Sequence, residues 1–365
     1  MTIRAAVMTA PNKPIEIWQL DDPVIESGGI LLETVASEVC GTDVHLLRGQ
    51  LAGVPYPIVP GHVSVGKVLE MRDVDADALG TPLAAGDLVT FYDVHNICGE
   101  CYFCAVTKQS NRCPSRRVYG ITDSVSDGPL GGWAERIYLK PDVRVVKLPE
   151  QLSADAVIGG GCGMFTGFGA VERSTITLGD TVVVQGSGAV GLSAAAFAAL
   201  KGATTVIVIG APTQRLELAK VLGTDVVLSI ESDAPDHRDQ VVKDLTGGRG
   251  ADVVIEACGN PKAIPEGLRL VRDGGCYVVV GHYTDAGPIE INPHLHINRA
   301  HVDIRGQWGT EFSHVVRALN VLAKHHARLP FERIIGARYG LEEADKALAD
   351  VEGLMVTKAI MEPFR

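Results

Sequence analysis

The sequence predicts an α/β protein in two parts: a β-rich N-terminal region, then a doubly wound parallel-sheet region. Three observations carry this: a length of 365 residues, a change of texture near Ser153, and a glycine-rich loop set between a strand and a helix. At roughly 150 residues per domain, the length suggests two domains. Before Ser153, strand candidates at 4–8, 15–20, 30–35, 63–71, 88–91 and 133–138 are separated by Pro and Gly clusters. After it, apolar β-branched runs at 181–185, 205–209, 226–228, 252–256 and 276–281 alternate with helical patterns at 189–200 and 214–222. Such runs between helices belong to a parallel sheet covered on both faces. Gly223 supplies a helix stop. The C-terminal part carries helices at 313–325 and 341–350 and a strand-like run at 356–361.

Composition narrows the function. Lys plus Arg is 33 and Asp plus Glu is 44, a net charge of −11, which argues against a general binder of nucleic acid or anionic membrane. With 46% hydrophobic and 21% charged residues, the chain can bury a large core and does not read as disordered. The N-terminal stretch has no signal-peptide layout, so a cytoplasmic chain is expected. In such a chain the eight cysteines read as metal or catalytic residues rather than disulfides. The uncharged window 182–200 is interrupted by Gly186, Gly188 and Gly191; a strand-turn-helix explains it better than a membrane span.

That window holds Val182-Val183-Val184-Gln185-Gly186-Ser187-Gly188-Ala189-Val190-Gly191, a strand followed by G-x-G-x-x-G opening a helix. The pattern fits a dinucleotide loop. Gly186 permits the tight turn, Gly188 lets a pyrophosphate approach the backbone, and Gly191 lets helix pack on strand. Amides at the helix start, around Ala189 and Val190, favour phosphate charge. The carboxylate that would hold the adenosine ribose is expected about 20 residues further on. The second strand ends instead at Gly210, followed by Ala211-Pro212-Thr213-Gln214-Arg215. Nothing there repels a 2′-phosphate. Arg215 or Thr213 is placed to contact one, and Arg215 is equally placed as an ordinary first-turn helix residue, so NAD and NADP both stay open.

Cys98-x2-Cys101-x2-Cys104 followed by Cys113 is the strongest metal signal. Four thiolates close a tetrahedral zinc site without an open position, a structural site in a lobe at about 95–115 with little apolar core. A second set is dispersed: Cys40 in Cys40-Gly41-Thr42-Asp43-Val44-His45, His62 after Gly61, and Cys162 in Gly159-Gly160-Gly161-Cys162-Gly163. Two thiolates and one imidazole leave one tetrahedral position for water or an alcohol oxygen. Taken singly, each residue reads as a small core cysteine or a satisfied histidine.

Together these motifs resemble those of the zinc-containing medium-chain dehydrogenase/reductase family, the alcohol dehydrogenases, over essentially the whole chain. Gly131-Gly132-Trp133-Ala134-Glu135 and Cys162-Gly163-Met164-Phe165-Thr166-Gly167 add to the match. The resemblance implies a GroES-like barrel domain at 1–155 and a Rossmann domain at 156–300. A segment at 301–365 would complete the Rossmann sheet and return to the first domain. It implies that Cys40, His62 and Cys162 bind a catalytic zinc and that Cys98, Cys101, Cys104 and Cys113 bind a second, two per subunit. Thr42 would hydrogen-bond the substrate hydroxyl, His45 would pass its proton on, and Asp43 would orient His62. Thr166 would touch the nicotinamide of NAD or NADP, and Lys358 would reach the cofactor phosphates. Zinc and nicotinamide would meet in the cleft between the domains, and the chain would form a homodimer or homotetramer through the Rossmann sheet edge.

Three departures stand out. The family's Gly-His-Glu is Gly61-His62-Val63 here, eight residues rather than the commoner seven separate Cys104 from Cys113, and the ribose carboxylate is missing at Gly210. The activity implied is reversible oxidation of an alcohol by hydride transfer to NAD(P), zinc polarising the hydroxyl. Apolar liners such as Leu47, Val94 and Phe165 suit a secondary, cyclic or aryl alcohol. Tyr92 and His95 are structural residues or recognise a polar group. Two other readings compete. A zinc-independent enone or quinone reductase would have no use for Cys40, His62 and Cys162. A fold member that binds zinc and nucleotide without turnover is the other, because fold alone does not guarantee function. Cys258 and Cys276 are expected to be inert core residues.

Overall fold

The structure, a computed structural model, describes residues 2–365; Met1 lies outside the described residues. The chain divides into two compact units. One takes residues up to Gly161 with 311–326 and 331–365; the other takes 162–310 and 327–330. The division falls six residues beyond the expected 155, because a single helix, Ala154–Arg173, runs through that point and kinks at Gly161 (φ 51°). In the C-terminal segment, residues 303–306 add the last strand to the second unit's sheet, and the return to the first unit begins at 311.

The first unit carries strands β1 (Thr2–Val7), β2 (Glu16–Asp21), β3 (Ile30–Val39), β4 (Ser64–Met71), β5 (Leu88–Phe91), β6 (Val94–His95), β7 (Arg117–Val118), β8 (Arg136–Leu139) and β9 (Val145–Lys147). Helices α1 (Gly41–Leu47) and α2 (Tyr102–Ala105) interrupt them, and α3 (Ala154–Arg173) follows. The second unit holds β10 (Thr181–Gln185), α4 (Ala189–Lys201), β11 (Thr205–Gly210), α5 (Thr213–Val221), β12 (Val226–Ser229), α6 (Pro235–Leu245), β13 (Ala251–Glu256), α7 (Ala263–Leu270), β14 (Val271–Val279) and β15 (Asp303–Gly306). The chain ends with α8 (Phe312–His325), β16 (Ala337–Tyr339), α9 (Ala344–Glu352) and β17 (Ala359–Met361).

The main sheet of the first unit runs β16-β17-β3-β4-β5-β9, with β8 also on β3. β3 is its spine, antiparallel to β4, β8 and β17. It runs four residues past the expected end at 35. Ser37 and Glu38 are polar, yet ladder partners hold them: Ser37 opposite Ser64, Glu38 opposite Ile360. Leu32, Val89, Phe91, Tyr119, Ile137 and Leu139 form its core, each aliphatic or Phe side chain contributing about 1.5–3 kcal/mol on burial.

The second unit's sheet is parallel throughout, in the order β12-β11-β10-β13-β14-β15. Numbered within the sheet this is 3-2-1-4-5-6, the doubly wound dinucleotide order, with its switch point beside the first strand. Helix α3 is long and apolar enough by composition to cross a membrane, but 78% of its apolar window is buried inside the protein. The uncharged window 182–200 is a buried strand and helix, β10 and α4. Cys276 is buried as expected, whereas Cys258 is exposed, lying just beyond the end of β13.

His95 is a structural residue. It is 2% exposed, its Nε2 lies 2.9 Å from Asp123 Oδ2, and Arg117 Nε pairs with Asp123 Oδ1 at 2.8 Å. Asp142 stands 3.7 Å from Nδ1, and the ring packs on Tyr119 at 4.8 Å between centroids. Burial works against the imidazolium, but Asp123 and Asp142 outweigh it and raise the pKa above 6.5. The imidazolium facing it holds Asp142 below the usual carboxylate range. The His95 contribution is therefore complete below about pH 6.5 and fades as pH rises through the raised pKa. The Asp142 contribution is complete above about 3.8 and fades as pH falls through the lowered one. Melting temperatures of the wild type and His95→Asn should thus differ most between about pH 4 and 6.5 and converge as pH rises. A gap that stays the same size as pH rises well above 6.5 would contradict the assignment.

Candidate active site and metal centres

The site is assembled around the end of β3. The Glu38 N–H donates to the Val63 carbonyl at 3.0 Å, which ties β3 to the turn carrying His62. That turn needs glycine: Gly61 has φ +91°, and a Cβ there would lie 2.5 Å from Trp133 Cδ1. Gly132 N–H donates to Gly61 C=O (2.8 Å), Trp133 N–H to Pro60 C=O (3.0 Å), and Trp133 Nε1 to Glu38 C=O (3.0 Å). The Gly131-Gly132-Trp133 segment thus braces both β3 and the His62 turn from behind.

Cys40 caps α1. Its Sγ accepts from Thr42 N–H (3.3 Å), while Asp43 Oδ2 accepts from Cys40 N–H (2.8 Å). His45 lies one turn beyond Thr42, with Nδ1 on Gln50 Oε1. Asp43 is fully buried but makes no hydrogen bond to His62: Asp43 Oδ1 and His62 Nδ1 are both without a partner among the described residues. Its direct bond is to Cys40, so it positions the thiol, and it acts on His62 only through charge.

Cys162 follows Gly161 directly in α3. The ligand atoms of Glu38, Cys40, His62 and Cys162 all lie within 4.8 Å of one another. Burial opposes protonation of His62, but the charges of Cys40, Glu38, Asp43 and Asp93 outweigh it and push the pKa up to about 9. Burial raises Asp93 as well. Two thiols, an imidazole and a carboxylate converging in so negative a setting fit a zinc-type cation.

Glu38 and Lys358 revise the expected set. Glu38 is fully buried, with Oε1 3.2 Å from His62 Nε2 and Oε2 bonded to Lys358 Nζ. Lys358, expected on the cofactor phosphates, is 4% exposed and held in this ion pair; a buried ammonium so engaged is withdrawn from a phosphate role. Glu38 lies beyond the strand end expected at 35; because β3 runs on to Val39 and Cys40 is itself extended, Glu38 and Cys40 share a face.

The four lobe cysteines also have ligand atoms within 4.8 Å of one another. Cys98 Sγ and Cys113 Sγ are 3.6 Å apart, close to the spacing of two ligands each about 2.3 Å from a tetrahedral zinc. Cys98 N–H donates to Cys113 Sγ (3.5 Å) and Cys101 N–H to Cys98 Sγ (3.4 Å). The extra residue before Cys113 is absorbed in a turn, residues 110–112, held by Glu311. That carboxylate accepts from Ser110 N–H (3.1 Å), Asn111 N–H (2.9 Å) and the Ser110 hydroxyl.

In the second unit, Gly186 has φ +127°, and a Cβ there would lie 2.8 Å from Ala257 C=O. A Cβ on Gly191 would collide with the Gly186 carbonyl, whereas one on Gly188 would meet nothing within 4 Å. Turn and packing glycines are thus crowded, while the one expected to face pyrophosphate is open; Ala189 and Val190 begin α4 beside it. Gly210 cannot hold a ribose carboxylate, because a Cβ there would lie 2.5 Å from Ser187 Oγ, itself bonded to Ala211 C=O (2.8 Å). Arg215 is half-buried in the first turn of α5, and burial lowers its pKa. Thr166 lies one turn beyond Cys162 on the same face of α3. The adjoining glycines let α3 meet α4: a Cβ on Gly163 would lie 2.6 Å from Ala189 Cβ, and one on Gly167 2.8 Å from Ala194 N.

Comparison with known proteins agrees with this arrangement. Residues 26–150 match the alcohol dehydrogenase GroES-like domain, and residues 189–324 the zinc-binding dehydrogenase domain. The 5-exo-hydroxycamphor dehydrogenase of Pseudomonas putida is 31% identical over 363 residues, 98% of each chain. An alcohol dehydrogenase from Thermotoga maritima has a TM-score of 0.94 at 33% identity, covering 99% of each chain. A zinc-binding dehydrogenase from Sinorhizobium meliloti, bound to NADP, has a TM-score of 0.86 at 25% identity, covering 100% of each.

The α3–α4 contact is testable. Gly163→Ala forces Ala189 away and should cost about 1–3 kcal/mol in urea unfolding. It should also weaken nicotinamide-cofactor binding in a fluorescence titration. Unchanged stability and affinity would mean that the contact has slack.

Proposed function

This chain belongs to the zinc-containing medium-chain dehydrogenase/reductase family and is an NAD(P)-dependent alcohol dehydrogenase, and we propose that it oxidises a secondary, cyclic or aryl alcohol at the Cys40–His62–Cys162 cluster. The observation that carries this is the convergence of those three donors within 4.8 Å, beside the helix that bears Thr42 and His45. The substrate class draws on the relative that acts on hydroxycamphor, a bicyclic secondary alcohol.

Cys40, His62 and Cys162 would hold one zinc ion, and Cys98, Cys101, Cys104 and Cys113 a second. Bound zinc and nicotinamide supply Lewis-acid polarisation of the hydroxyl and acceptance of hydride. The chain's own residues do the rest. The backbone of Thr42 is pinned to Cys40, and its hydroxyl accepts a hydrogen bond from the substrate hydroxyl while handing its own proton on towards His45. His45, fixed by Gln50, carries that proton onward. Thr166, one turn from Cys162, orients the nicotinamide, and the amides opening α4 take the pyrophosphate. Cysteines used as metal donors rather than as disulfides fit a cytoplasmic enzyme. The edge strand β15, with Ile304 exposed, supports a homodimer or homotetramer.

A panel of bicyclic, cyclohexyl, benzylic and polyhydroxy alcohols, each with NAD and NADP, tests the substrate class. Turnover should be highest among the secondary, cyclic and aryl alcohols, and His62→Ala should lower kcat/KM on the order of a thousandfold. A preference for polyols, or undiminished turnover in the variant, would overturn the reading.

Cofactor choice follows from Gly210 and Arg215. With no carboxylate to repel it, a 2′-phosphate is accepted and Arg215 binds it. Arg215→Ala should raise KM for NADP about 10- to 100-fold, the loss of one charge-assisted contact, and leave KM for NAD nearly unchanged. Equal effects on both cofactors would assign Arg215 to the fold alone.

A further inference from the structure

Glu38 is a fully buried carboxylate whose two oxygens face different partners. Oε2 is bonded to Lys358 Nζ, and Oε1 lies 3.2 Å from His62 Nε2, within the same 4.8 Å envelope as Cys40 and Cys162. Buried charges persist in proteins when paired, and one oxygen of this carboxylate is paired with an ammonium. Its other side is turned to three metal donors.

The backbone explains how it gets there. Val63, buried beside His62, carries no acidic group, and the residue whose amide bonds to the Val63 carbonyl is Glu38. The carboxylate missing from the His62 turn is thus supplied one strand away. Lys358 immediately precedes β17, which lies antiparallel against β3 with Ala359 opposite Val39 and Ile360 opposite Glu38. Gly161 closes the arrangement: a Cβ there would lie 2.1 Å from Glu38 Oε2 and 2.5 Å from Lys358 Nζ. The kink that makes room for the ion pair delivers Cys162 one residue later, so pair and donor are placed by one backbone feature.

We propose that Glu38 is a fourth, reversible ligand to the metal held by Cys40, His62 and Cys162, and that Lys358 is the positioning residue that restrains it. This rests on the metal reading of that cluster. With the fourth position empty, Glu38 turns Oε1 to the metal; when another ligand takes that position, the carboxylate's charge is returned to Lys358. Lys358 thereby sets how tightly the site is closed.

The test uses the full chain loaded with metal and follows release to excess chelator, with the visible spectrum of the cobalt(II)-exchanged protein as second readout. Wild type should hold two ions, released in separate phases. Glu38→Gln should accelerate one phase about 10- to 100-fold, leave the other unchanged and alter the cobalt spectrum. Because Glu38→Gln strands a buried lysine, Glu38→Gln/Lys358→Met serves as its folded counterpart and should show the same loss. Lys358→Met alone should slow that phase, since the carboxylate is then no longer drawn towards the ammonium. An unchanged rate and spectrum in the double variant, or equal acceleration in Lys358→Met, overturns the proposal while leaving the metal site intact. A wild type holding a single ion at the lobe cysteines overturns the metal reading, and this proposal with it.

Discussion

One backbone hydrogen bond, from Glu38 N–H to the Val63 carbonyl, fixes the position of most of what matters in the first unit. It sets the end of β3 against the His62 turn, and β3 in turn starts the short helix capped by Cys40. A strand end normally frays. This one is pinned by β4 on one side and β17 on the other, with Trp133 bonded to the Glu38 carbonyl. The polar residues Ser37 and Glu38 are therefore buried without loss of backbone pairing, as buried backbone groups require. The side chains that project from this end are committed to one geometry before any ligand arrives, the preorganisation a catalytic centre needs.

The second unit uses a different device, close approach through glycine. Gly186 and Gly191 bring β10 and α4 together, and Gly163 and Gly167 bring α3 against α4. Each saves a side chain's width where backbone must meet backbone. Gly188, in contrast, borders open space. The same residue type thus serves packing at some positions and ligand access at another, and only the surrounding atoms tell the two apart. Ser187 completes the loop by filling the space a ribose-binding carboxylate at 210 would need. The departure at Gly210 is a feature of shape as much as of charge.

The sequence disclosed the elements whose residues have one job. Strands β5 and β10 match their expected ends because short β-branched or apolar runs bounded by turns have little alternative. The two cysteine sets were legible from spacing and family resemblance, since metal ligands tolerate few substitutes. Helix α3 was hidden by its own glycines at 159–161, 163, 167 and 169, which lower helix propensity but are required by what packs on them. Helix α6 is largely charged and exposed, so its apolar stripe is too thin to read. Lys358 was placed by analogy on phosphate because a lone lysine near a chain end carries no local sign of burial. Glu38 was hidden because the apolar run that marks β3 ends at 35, and the polar residues beyond it are held in the strand only by their ladder partners.

Two cation sites of different composition are the central claim, and zinc-edge X-ray absorption on the purified, metal-loaded enzyme tests it most directly. The lobe contributes four sulfurs, and the β3 site two sulfurs, one imidazole nitrogen and one oxygen. The average shell should then contain about three sulfurs near 2.3 Å and about one nitrogen or oxygen near 2.0–2.1 Å per zinc. A shell of sulfur alone would mean that only the lobe binds metal, and would contradict the account.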